Sequence, residues 1–397
     1  MESSNRVNMG DYTMKKRVLF LLHDTRVHGG ANSSMFDVLE NLTDVDIFVA
    51  IPKKNKEMIA YLNQKGYKWF VVSYPGWIYR MYNPWYKKAI RIPQQFLRQL
   101  KLLFVMPQLK KIITENDIDT IYTNTFCMYV GCLAKKMWNI RHIWHIREYG
   151  AEDHGFGIIF GNQVFLKFIN KYTDQIVFIS KSLANKYLSE IENPNKIHVI
   201  YDDVSDRYIV KKSCHKGNIN ILVAGLIQVG KGQMEIVKAF ELASKKIPTI
   251  KLFIAGETGS AYYKDVKRYV DEHQLTEKVK FLGFVTNMNE LRSRMDIGVV
   301  ASRSEAFGRV TIEGMLAHMA MIGADAAGTS ELIEDGKTGL LYKPGDTEAL
   351  AEKIVQLSIE RDKMNQIQND GFKYAKNRYT NHNCAKEIEN LLMREKI

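Results

Sequence analysis

The run Arg17-Val18-Leu19-Phe20-Leu21-Leu22 decides the fold, because a loop that contains glycine (23–30) and a stretch of helical length (31–42) follow it. An apolar strand, a glycine-containing loop and a helix, in this order, form the opening unit of a doubly wound sheet. The same order begins again at Asn220-Ile221-Leu222-Val223-Ala224-Gly225, after a polar and charged stretch at 202–217. The sequence therefore predicts an α/β protein with two Rossmann-like, doubly wound domains and a cleft between them.

Further apolar runs of strand length alternate with stretches long enough for helices in both halves of the chain. These runs are 46–50, 68–72, 120–123, 141–145 and 175–179 in the first half and 251–256, 280–283 and 297–300 in the second. Such alternation favours parallel sheets, whose ligands bind outside the carboxyl ends of the strands. We expect an acceptor domain at 1–205 with 16 frayed leading residues, a nucleotide-sugar domain at 206–380, and a closing helix at 381–397 that packs back on the first domain.

Length and composition are those of a folded protein with more than one core. The chain has 397 residues, of which 46% are hydrophobic and 25% charged, and this length exceeds one ordinary core. No run of about 18 apolar residues predicts a membrane-spanning helix, and the first 16 residues lack the apolar core of a signal peptide. The four cysteines, Cys127, Cys132, Cys214 and Cys384, have no CxxC spacing, which favours free thiols in the reducing cytoplasm.

The net charge of +12 is concentrated in one segment. No Asp or Glu occurs between Glu57 and Glu115, whereas ten lysines and arginines do, interleaved with aromatic residues such as Trp85 and Phe104. This mixture suits insertion of aromatic rings beside anionic head groups, so we expect residues 65–111 to dock on the inner face of the cytoplasmic membrane. A solvated helix face with ordinary core aromatics is the alternative. Nucleic acid is not expected as a partner, because no nucleic-acid-binding motif occurs.

The run Ser304-Glu305-Ala306-Phe307-Gly308-Arg309-Val310-Thr311-Ile312-Glu313-Gly314 carries the strongest functional signal. Glu305 precedes a Phe-Gly turn and can reach hydroxyl groups of a ligand, while the N–H groups of the turn and of the helix start suit a phosphate. Glu313 comes two helical turns later, at about 3.6 residues per turn, and is expected on a similar face, beside a second pair of hydroxyls. Sugar, phosphate and ribose together indicate a nucleotide sugar.

Five pieces of sequence occur in the order in which one enzyme family carries them. They are the run from Glu305 to Glu313, the loop from Gly225 to Lys231-Gly232, Ala255-Gly256-Glu257, Phe281-Leu282-Gly283-Phe284-Val285, and the stretch from Gly328-Thr329-Ser330-Glu331 to Gly339-Leu340-Leu341. With these pieces the chain resembles the retaining glycosyltransferases of family 4, which have the GT-B fold, and among them those that build bacterial surface polysaccharides. The resemblance covers most of the chain and is strongest over 220–354.

The resemblance implies that the second domain binds the donor. Glu305 would contact hydroxyls of the donor sugar, Glu313 would hold the ribose, and Lys231 would neutralise the charge that grows on the leaving diphosphate. The backbone near Arg309 and Val310 would flank the phosphates. The residues implied to bind the donor are Gly29, Gly30, Gly225, Lys231, Phe284, Val285, Glu305, Phe307, Gly308, Arg309, Val310 and Glu313, with the nucleobase near Phe284 and Val285.

In the first domain the resemblance assigns fewer residues. Gly29 and Gly30 follow the first strand as the family's glycine-rich loop does, and they would let the backbone approach phosphate and acceptor. His145 resembles the family's histidine that faces the donor sugar, so Glu305, His145 and Lys231 are the expected catalytic residues. Arg147 and Glu148 are candidates for acceptor recognition. A simple turn at Gly29-Gly30 and a buried, satisfied His145 are the alternatives.

Two positions depart from the family pattern. The arginine that commonly follows the glycine at position 225 is replaced by Leu226, so phosphate neutralisation would depend on Lys231, backbone amides or another cation such as Arg303 or Arg309. The Asn-Gly often found near the interdomain linker is replaced by Asp202-Asp203. The resemblance therefore implies no particular hinge geometry at these positions.

The expected reaction is transfer of a hexosyl or N-acetylhexosaminyl group from a nucleoside-diphosphate sugar to an acceptor hydroxyl, with retention and without metal or cofactor. A lipid-linked saccharide is the expected acceptor. The residues leave the base and sugar of the donor open. A metal-dependent GT-A enzyme is one alternative, since Asp44-Val45-Asp46 and Asp117-Ile118-Asp119 match Asp-x-Asp by letters. A nucleotide-sugar epimerase, which needs acid/base groups around the ring, and a non-catalytic sugar- or lipid-binding protein are the others.

Overall fold

The computed structural model describes residues 15–27, 29–81, 85–212 and 217–394. Most of the leader expected to be frayed therefore lies outside the described residues, as does Cys214, while Lys16 already belongs to the first strand. The strands, in chain order, are β1 (Lys16–Leu21), β2 (Val45–Ile51), β3 (Lys68–Val71), β4 (Ile78–Arg80), β5 (Thr120–Asn124), β6 (Arg141–Ile146), β7 (Phe156–Ile158), β8 (Gln175–Phe178), β9 (Ile197–Val199), β10 (Asn220–Ala224), β11 (Lys251–Ala255), β12 (Val279–Gly283), β13 (Ile297–Val300), β14 (Ala320–Ala324) and β15 (Leu340–Tyr342).

The helices alternate with these strands as the sequence pattern predicts. They are α1 (Gly30–Leu39), α2 (Lys56–Gln64), α3 (Trp85–Arg98), α4 (Leu102–Glu115), α5 (Val130–Trp138), α6 (Ala151–His154), α7 (Asn162–Lys171), α8 (Lys181–Leu188), α9 (Gln233–Lys246), α10 (Ala261–Glu272), α11 (Met288–Ser293), α12 (Arg309–Leu316), α13 (Ala327–Leu332), α14 (Thr347–Ile359), α15 (Arg361–Tyr379) and α16 (Asn383–Met393). Helix α1 ends three residues earlier than expected, and Asn41 Nδ2 donates to the carbonyl of Asp37 in its last turn.

Two parallel sheets form the frame of the molecule. The first has the order β3-β2-β1-β5-β6-β8-β9 and the second the order β12-β11-β10-β13-β14-β15. The strand order reverses beside β1 in the first sheet and beside β10 in the second, so each sheet has a switch point of the doubly wound kind. The predicted α/β fold with two Rossmann-like sheets is confirmed, and the loops after β1 and β10 lie where such folds bind ligands.

The two domains share buried contacts. Ala306 and Phe307 of the second domain belong to the same apolar cluster as Trp144 and Phe178 of the first. The ring of Phe307 lies 6.2 Å from that of Tyr201 and 6.0 Å from that of Tyr379. Helix α16 returns to the first domain, where Ile388 and Leu392 pack in one cluster with residues of β1. The chain therefore crosses twice between the domains, and apolar packing accompanies the crossing.

Helices α3 and α4 lie at the outside of the first domain, joined by a 3₁₀ turn at Gln99–Lys101. They leave large apolar side chains in solvent, with Trp85 80% and Phe104 81% exposed. A short antiparallel ribbon of β4 and β7 connects this region to α6, and Met81 N donates to the carbonyl of Gly155 at 2.7 Å. Across the described ranges, no helix combines the length and the apolar character that crossing a membrane requires.

Candidate active site

A cleft opens between the carboxyl ends of the two sheets. Loops after β1, β6 and β8 form one wall and loops after β10 and β13 form the other, around a cavity of about 280 Å³. This volume is close to the lower limit of ligand pockets, about 300 Å³. The residues that line it are His23, Asp24, Arg26, Gly29, Gly30, Ala31, Ser34, Arg147, Glu148, Asp153, His154, Ile179, Asp202, Lys231, Ser304, Glu305, Ala306, Phe307, Gly308 and Arg309.

The C-terminal wall brings Lys231 and Glu305 together. Lys231 follows β10 at the end of a 3₁₀ turn, Glu305 follows β13, and Lys231 Nζ lies 2.6 Å from Glu305 Oε2. Gly232 ends that turn with φ +71, and a Cβ there would meet the carbonyl oxygen of Ala301 at 2.7 Å, so the two loops touch only because residue 232 is glycine. Gly328 N holds the Glu305 loop from behind by donating to the carbonyl of Glu305 at 2.7 Å.

Glu313 does not share a helical face with Glu305. Gly308, with φ +98, is the N-cap residue of α12, so Glu305 precedes the helix and the expected eight-residue spacing along one helix does not apply. The side chain of Glu313 lies behind the cleft wall, buried, where its two oxygens accept hydrogen bonds from Arg292 Nη2 and from Arg309 Nε at 3.1 Å. The turn at Phe307-Gly308 and the N-terminus of α12 do face the cavity.

Arg309 connects the two walls of the cleft. Its Nη2 lies 2.9 Å from Asp37 Oδ2 and its Nη1 3.0 Å from Ser34 Oγ, and both partners are on α1 of the first domain. Glu331 makes a second connection, because its carboxylate accepts from the backbone N–H groups of Lys181 and Ser182 at the start of α8. These contacts and the apolar cluster around Phe307 hold the domains together.

The N-terminal wall is built on the loop after β1. Asp24 accepts hydrogen bonds from Arg26 Nε at 2.7 Å and from Asn32 Nδ2 at 2.7 Å. Asn32 is fully buried and also donates to the carbonyl of Arg26. The loop is therefore fixed from inside, and it places Gly29 and Gly30 at the N-terminus of α1 against the cavity.

His145 and Arg147 differ in where they point. His145 is fully buried, its Nδ1 lies 2.7 Å from Tyr122 Oη, and its side chain does not line the cavity. Burial and the nearby Arg147 guanidinium hold the pKa of His145 well below its usual value. Arg147 lines the cavity but donates to both oxygens of Asp202 and to Asn124. The structure therefore brings Glu305 and Lys231 together and leaves His145 apart from them.

Glu148 lies in the same wall as a buried carboxyl group. Burial and, to a smaller extent, the nearby Asp153 together raise its pKa to about 8. One oxygen accepts from the backbone N–H of Phe126 at 3.4 Å. A carboxyl group of this pKa is largely protonated at neutral pH, so Glu148 can donate a hydrogen bond to an oxygen in the cleft.

Other expected donor-site residues occupy an adjoining cavity or the surface. Gly225 and Val310 line a second cavity that shares Lys231 and Glu305 with the cleft. Phe284, just after β12, is 74% exposed, and Val285 is partly buried and packs against the core. Leu226 is exposed, and Arg303 lies 3.6 Å from Glu235 on the outer side of the domain.

Several cleft residues carry no sequence motif. Five residues line the cavity that were not expected there from the sequence: His23, Asp24, Arg26, Asp153 and His154. The first three could have been predicted from their position directly after the first strand. In such sheets, polar residues at the carboxyl ends of strands face the ligand crevice. Asp153 and His154 could not be predicted in this way, because they lie on α6, a helix of four residues that is too short to show a periodic pattern.

The two Asp-x-Asp matches lie away from the cleft. Asp46 and Asp119 stand at the amino ends of β2 and β5, and the cleft faces the carboxyl ends. Asp119 accepts from Arg17 N at 2.8 Å and Asp117 from Arg17 Nη1 at 2.9 Å, so both carboxylates have structural partners. Among the residues that the structure describes, no group of three or more His, Cys, Asp or Glu side chains is arranged to hold a metal ion.

Two family sequence models match adjoining parts of the chain. Residues 205–374 match "Glycosyl transferases group 1" and residues 55–204 match "Glycosyltransferase Family 4". The putative glycosyltransferase EpsD of Bacillus subtilis is 26% identical over 297 residues, which cover 69% of this chain and 76% of that protein. The capsular polysaccharide biosynthesis glycosyltransferase CapM of Staphylococcus aureus is 26% identical over 230 residues, 54% of this chain and 60% of CapM.

Solved structures agree with the architecture. The crystal structure of Alr3699/HepE from Anabaena, in complex with UDP and glucose, superposes with a TM-score of 0.75 at 20% identity, covering 95% of this chain and 99% of that chain. At this identity the likeness concerns the fold. Together with two adjoining family matches, which run from 55 to 374, it shows that the chain is a glycosyltransferase of group 1 with the GT-B fold.

Proposed function

We propose that the protein transfers a hexosyl or N-acetylhexosaminyl group from a nucleoside-diphosphate sugar, bound in the cleft, to a saccharide hydroxyl, with retention of configuration. The observation that carries this proposal is the pair Lys231–Glu305 beside the N-terminus of α12. A cation, a helix N-terminus and a carboxylate in one small cavity suit a sugar attached to a diphosphate. HepE, which has the same fold, was crystallised with UDP and glucose.

Without donor, Lys231 and Glu305 neutralise each other across 2.6 Å. A bound diphosphate competes for the ammonium group of Lys231, and this frees the Glu305 carboxylate to accept hydrogen bonds from sugar hydroxyls. Lys231 then stabilises charge that grows on the leaving phosphate as the bond between C1 and oxygen breaks. The pair therefore keeps the site ordered before the donor binds and separates into two contacts afterwards.

Retention follows from a front-face substitution. The acceptor hydroxyl attacks C1 on the face from which the diphosphate departs, its oxygen forms the new bond to C1, and its proton passes to the leaving phosphate oxygen. No carboxylate besides Glu305 stands in the C-terminal wall of the cavity as the structure describes it. Glu305 is paired with Lys231 and does not act as a nucleophile. The protein instead orients the two substrates and stabilises the charge that develops on the leaving phosphate.

The N-terminal wall would receive the acceptor. Asp153, His154 and the protonated Glu148 offer both donors and acceptors for saccharide hydroxyls. The ribbon of β4 and β7 links this wall to α3 and α4. Their exposed aromatic and aliphatic side chains stand among lysines and arginines, which suits docking on an anionic membrane and an acceptor that is lipid-linked. CapM, by its name, acts in capsular polysaccharide biosynthesis.

A screen of nucleoside diphosphates by thermal shift identifies the donor base, because a ligand that binds the native state raises its apparent stability. Turnover with the matching sugars and a lipid-linked acceptor then tests the reaction. We expect nucleoside diphosphate to be released only when acceptor is present, and the new linkage to keep the donor's anomeric configuration. Complete, metal-reversible loss of turnover with a chelator would instead support a metal-dependent enzyme.

A nucleotide-sugar epimerase would convert the donor without any acceptor, and a sugar- or lipid-binding protein would show no turnover. The same assay therefore separates all three functions. Glu305→Gln serves as the variant, since it keeps the size of the side chain and removes its charge. We expect Glu305→Gln to lose transfer activity while it retains part of its affinity for the donor. This result would support a contact between Glu305 and the donor sugar.

A further inference from the structure

We propose that Arg26, on the loop after β1, leaves Asp24 when the donor binds and holds the diphosphate from the wall opposite Lys231. This inference rests on the proposed function, because it assigns a further residue to the donor in the same cleft. The lining of the cavity, as the structure describes it, contains one lysine and three arginines: Lys231, Arg26, Arg147 and Arg309. Which of the arginines can turn to a phosphate depends on the partners that each already has.

Two of the three arginines are fixed by largely buried carboxylates. Arg147 has 3% of its side chain exposed and donates to both oxygens of Asp202. Arg309 has 15% of its side chain exposed and is divided between Asp37 and Glu313. Turning either guanidinium toward a ligand would leave a largely buried carboxylate without its charge partner, which is costly. Both side chains therefore stay with the carboxylates that they already hold.

Arg26 is held more loosely. Its side chain is 78% exposed, and its Nη2 and Nε lie 2.6 Å and 2.7 Å from Asp24 Oδ2. An exposed ion pair contributes little to stability, because water competes for both groups. Asp24 keeps another partner when the guanidinium leaves, since its Oδ1 accepts from Asn32 Nδ2 at 2.7 Å. Arg26 can therefore exchange Asp24 for a phosphate, and the loop stays fixed by Asn32.

The position of Arg26 also suits a phosphate. A Cβ atom at Gly29 would lie 3.7 Å from Arg26 Nε, so the side chain folds against the glycine turn. Gly29 and Gly30 line the cavity at the start of α1. In the described part of the chain no side chain caps this helix, and its first turn carries no Asp or Glu, so no carboxylate there competes with an anion. A guanidinium and a helix N-terminus thus meet at the same part of the cleft, which suits an anionic group.

The two walls would then bind the diphosphate in the same way. Without donor, Lys231 pairs with Glu305 in one wall and Arg26 pairs with Asp24 in the other. A diphosphate competes with both carboxylates, and a guanidinium can donate to two phosphate oxygens at once. Because Arg26 belongs to the first domain and Lys231 to the second, a diphosphate held by both connects the loop after β1 to the loop after β10.

The test measures the dissociation constants of UDP, ADP and GDP for wild type, Arg26→Gln, Asp24→Asn and Arg268→Gln. Arg268 is the matched control, because it is an exposed arginine that pairs with one nearby aspartate, Asp265, on α10. We expect Arg26→Gln to weaken the preferred nucleoside diphosphate about 10- to 100-fold, the size of a lost hydrogen bond to a charged group. Asp24→Asn should bind it at least as tightly as wild type, since the competing charge is gone, and Arg268→Gln should bind it as wild type does.

Arg26→Gln and Asp24→Asn break the same ion pair, so comparing them separates phosphate binding from a role in shaping the loop. Equal weakening in both variants would show that the pair only holds the loop. An affinity of Arg26→Gln within about threefold of wild type would also overturn the inference. So would a rise confined to the KM for the acceptor, which would place Arg26 at that substrate.

The exposed position of Arg26 favours a folded variant, and thermal unfolding checks this. If Arg26→Gln does not fold, Arg26→Lys replaces it, with an expected loss of about tenfold, because lysine keeps the charge but cannot donate to two oxygens in the planar geometry of arginine. The same threefold limit then decides. Wild-type protein that binds no nucleoside diphosphate contradicts the proposed function itself, whereas the outcomes above overturn only the role of Arg26.

Discussion

The two walls of the cleft are built in different ways. In the C-terminal wall Lys231, Glu305 and Arg309 each hold a carboxylate or a cation within 3.1 Å, on turns that follow single strands. In the N-terminal wall the lining residues are spread from position 23 to 202, and one of them, His154, is on a four-residue helix tied to the exposed α3 region. The C-terminal wall is therefore held by short ion pairs, whereas the N-terminal wall depends on residues that are far apart in the sequence.

Removing the cation of the C-terminal wall should have the largest effect on turnover. Lys231→Ala should lower kcat/KM for transfer about 100- to 1000-fold, the usual cost of one lost group that stabilises transition-state charge. Lys246→Ala, at an exposed position in the last turn of α9, is the control and should behave as wild type. Steady-state release of nucleoside diphosphate measures both. If only the KM for the acceptor rose, Lys231 would contact the acceptor instead of the donor diphosphate.

The α3–α4 region gives the next largest expected effect. Phe104→Asp replaces an 81% exposed aromatic side chain with a charge, and we expect the partition coefficient on anionic vesicles to fall about 10- to 100-fold, since burying such a side chain contributes about 1.5–3 kcal/mol. Ile359→Asp, at an exposed position of the second domain, is the control. Co-sedimentation at low salt measures binding. Equal binding by both variants would show that the exposed side chains of α3 and α4 do not dock on the membrane.

A smaller effect sharpens the acceptor assignment. His154→Ala should raise KM for the acceptor about tenfold, the size of one hydrogen bond of about 1–1.5 kcal/mol, and leave the dissociation constant of the donor diphosphate unchanged. Initial rates at varied acceptor and calorimetry with the diphosphate separate the two quantities. A weaker donor diphosphate with unchanged acceptor KM would show that His154 contacts the donor instead.

The last prediction concerns stability and its pH dependence. The pKa of Glu148 is raised by burial, from 4.5 to about 8, so the folded state keeps a proton that the unfolded state releases. Its contribution to stability is complete below about pH 4.5 and is lost as the pH rises to about 8, at up to about 1.4 kcal/mol per pH unit. Glu148→Gln resembles the protonated form and should flatten this slope, with the larger gain in Tm at pH 8. Parallel pH profiles of Tm for both proteins would contradict a buried, protonated Glu148.

The sequence predicts the C-terminal wall better than the N-terminal wall for a physical reason. Glu305, Phe307 and Gly308 are close in sequence, so a short motif is enough to place them. His145 shows the opposite case. Both faces of a parallel sheet are covered, so the pattern of β6 does not reveal which face its side chains take, and His145 points to Tyr122 instead of the cleft.

Sequence patterns also miss what depends on the conformation of single residues. The left-handed Gly308 separates Glu305 from the helix of Glu313, so spacing alone misplaces Glu313. The contact between Arg292 and Glu313 has no sequence signal either, because 21 residues of sequence separate the two side chains. The alternation of apolar runs and helices, in contrast, correctly predicts two parallel sheets, whereas the strand orders, with β1 and β10 at the switch points, come from the structure.

Hydrogen exchange with and without the preferred nucleoside diphosphate shows where the donor binds along the whole chain. We predict slower exchange in 225–233 and 303–314 upon binding, with little change in 151–158 of the N-terminal wall. Slower exchange confined to the N-terminal wall, with 225–233 and 303–314 unaffected by the diphosphate, would contradict this prediction.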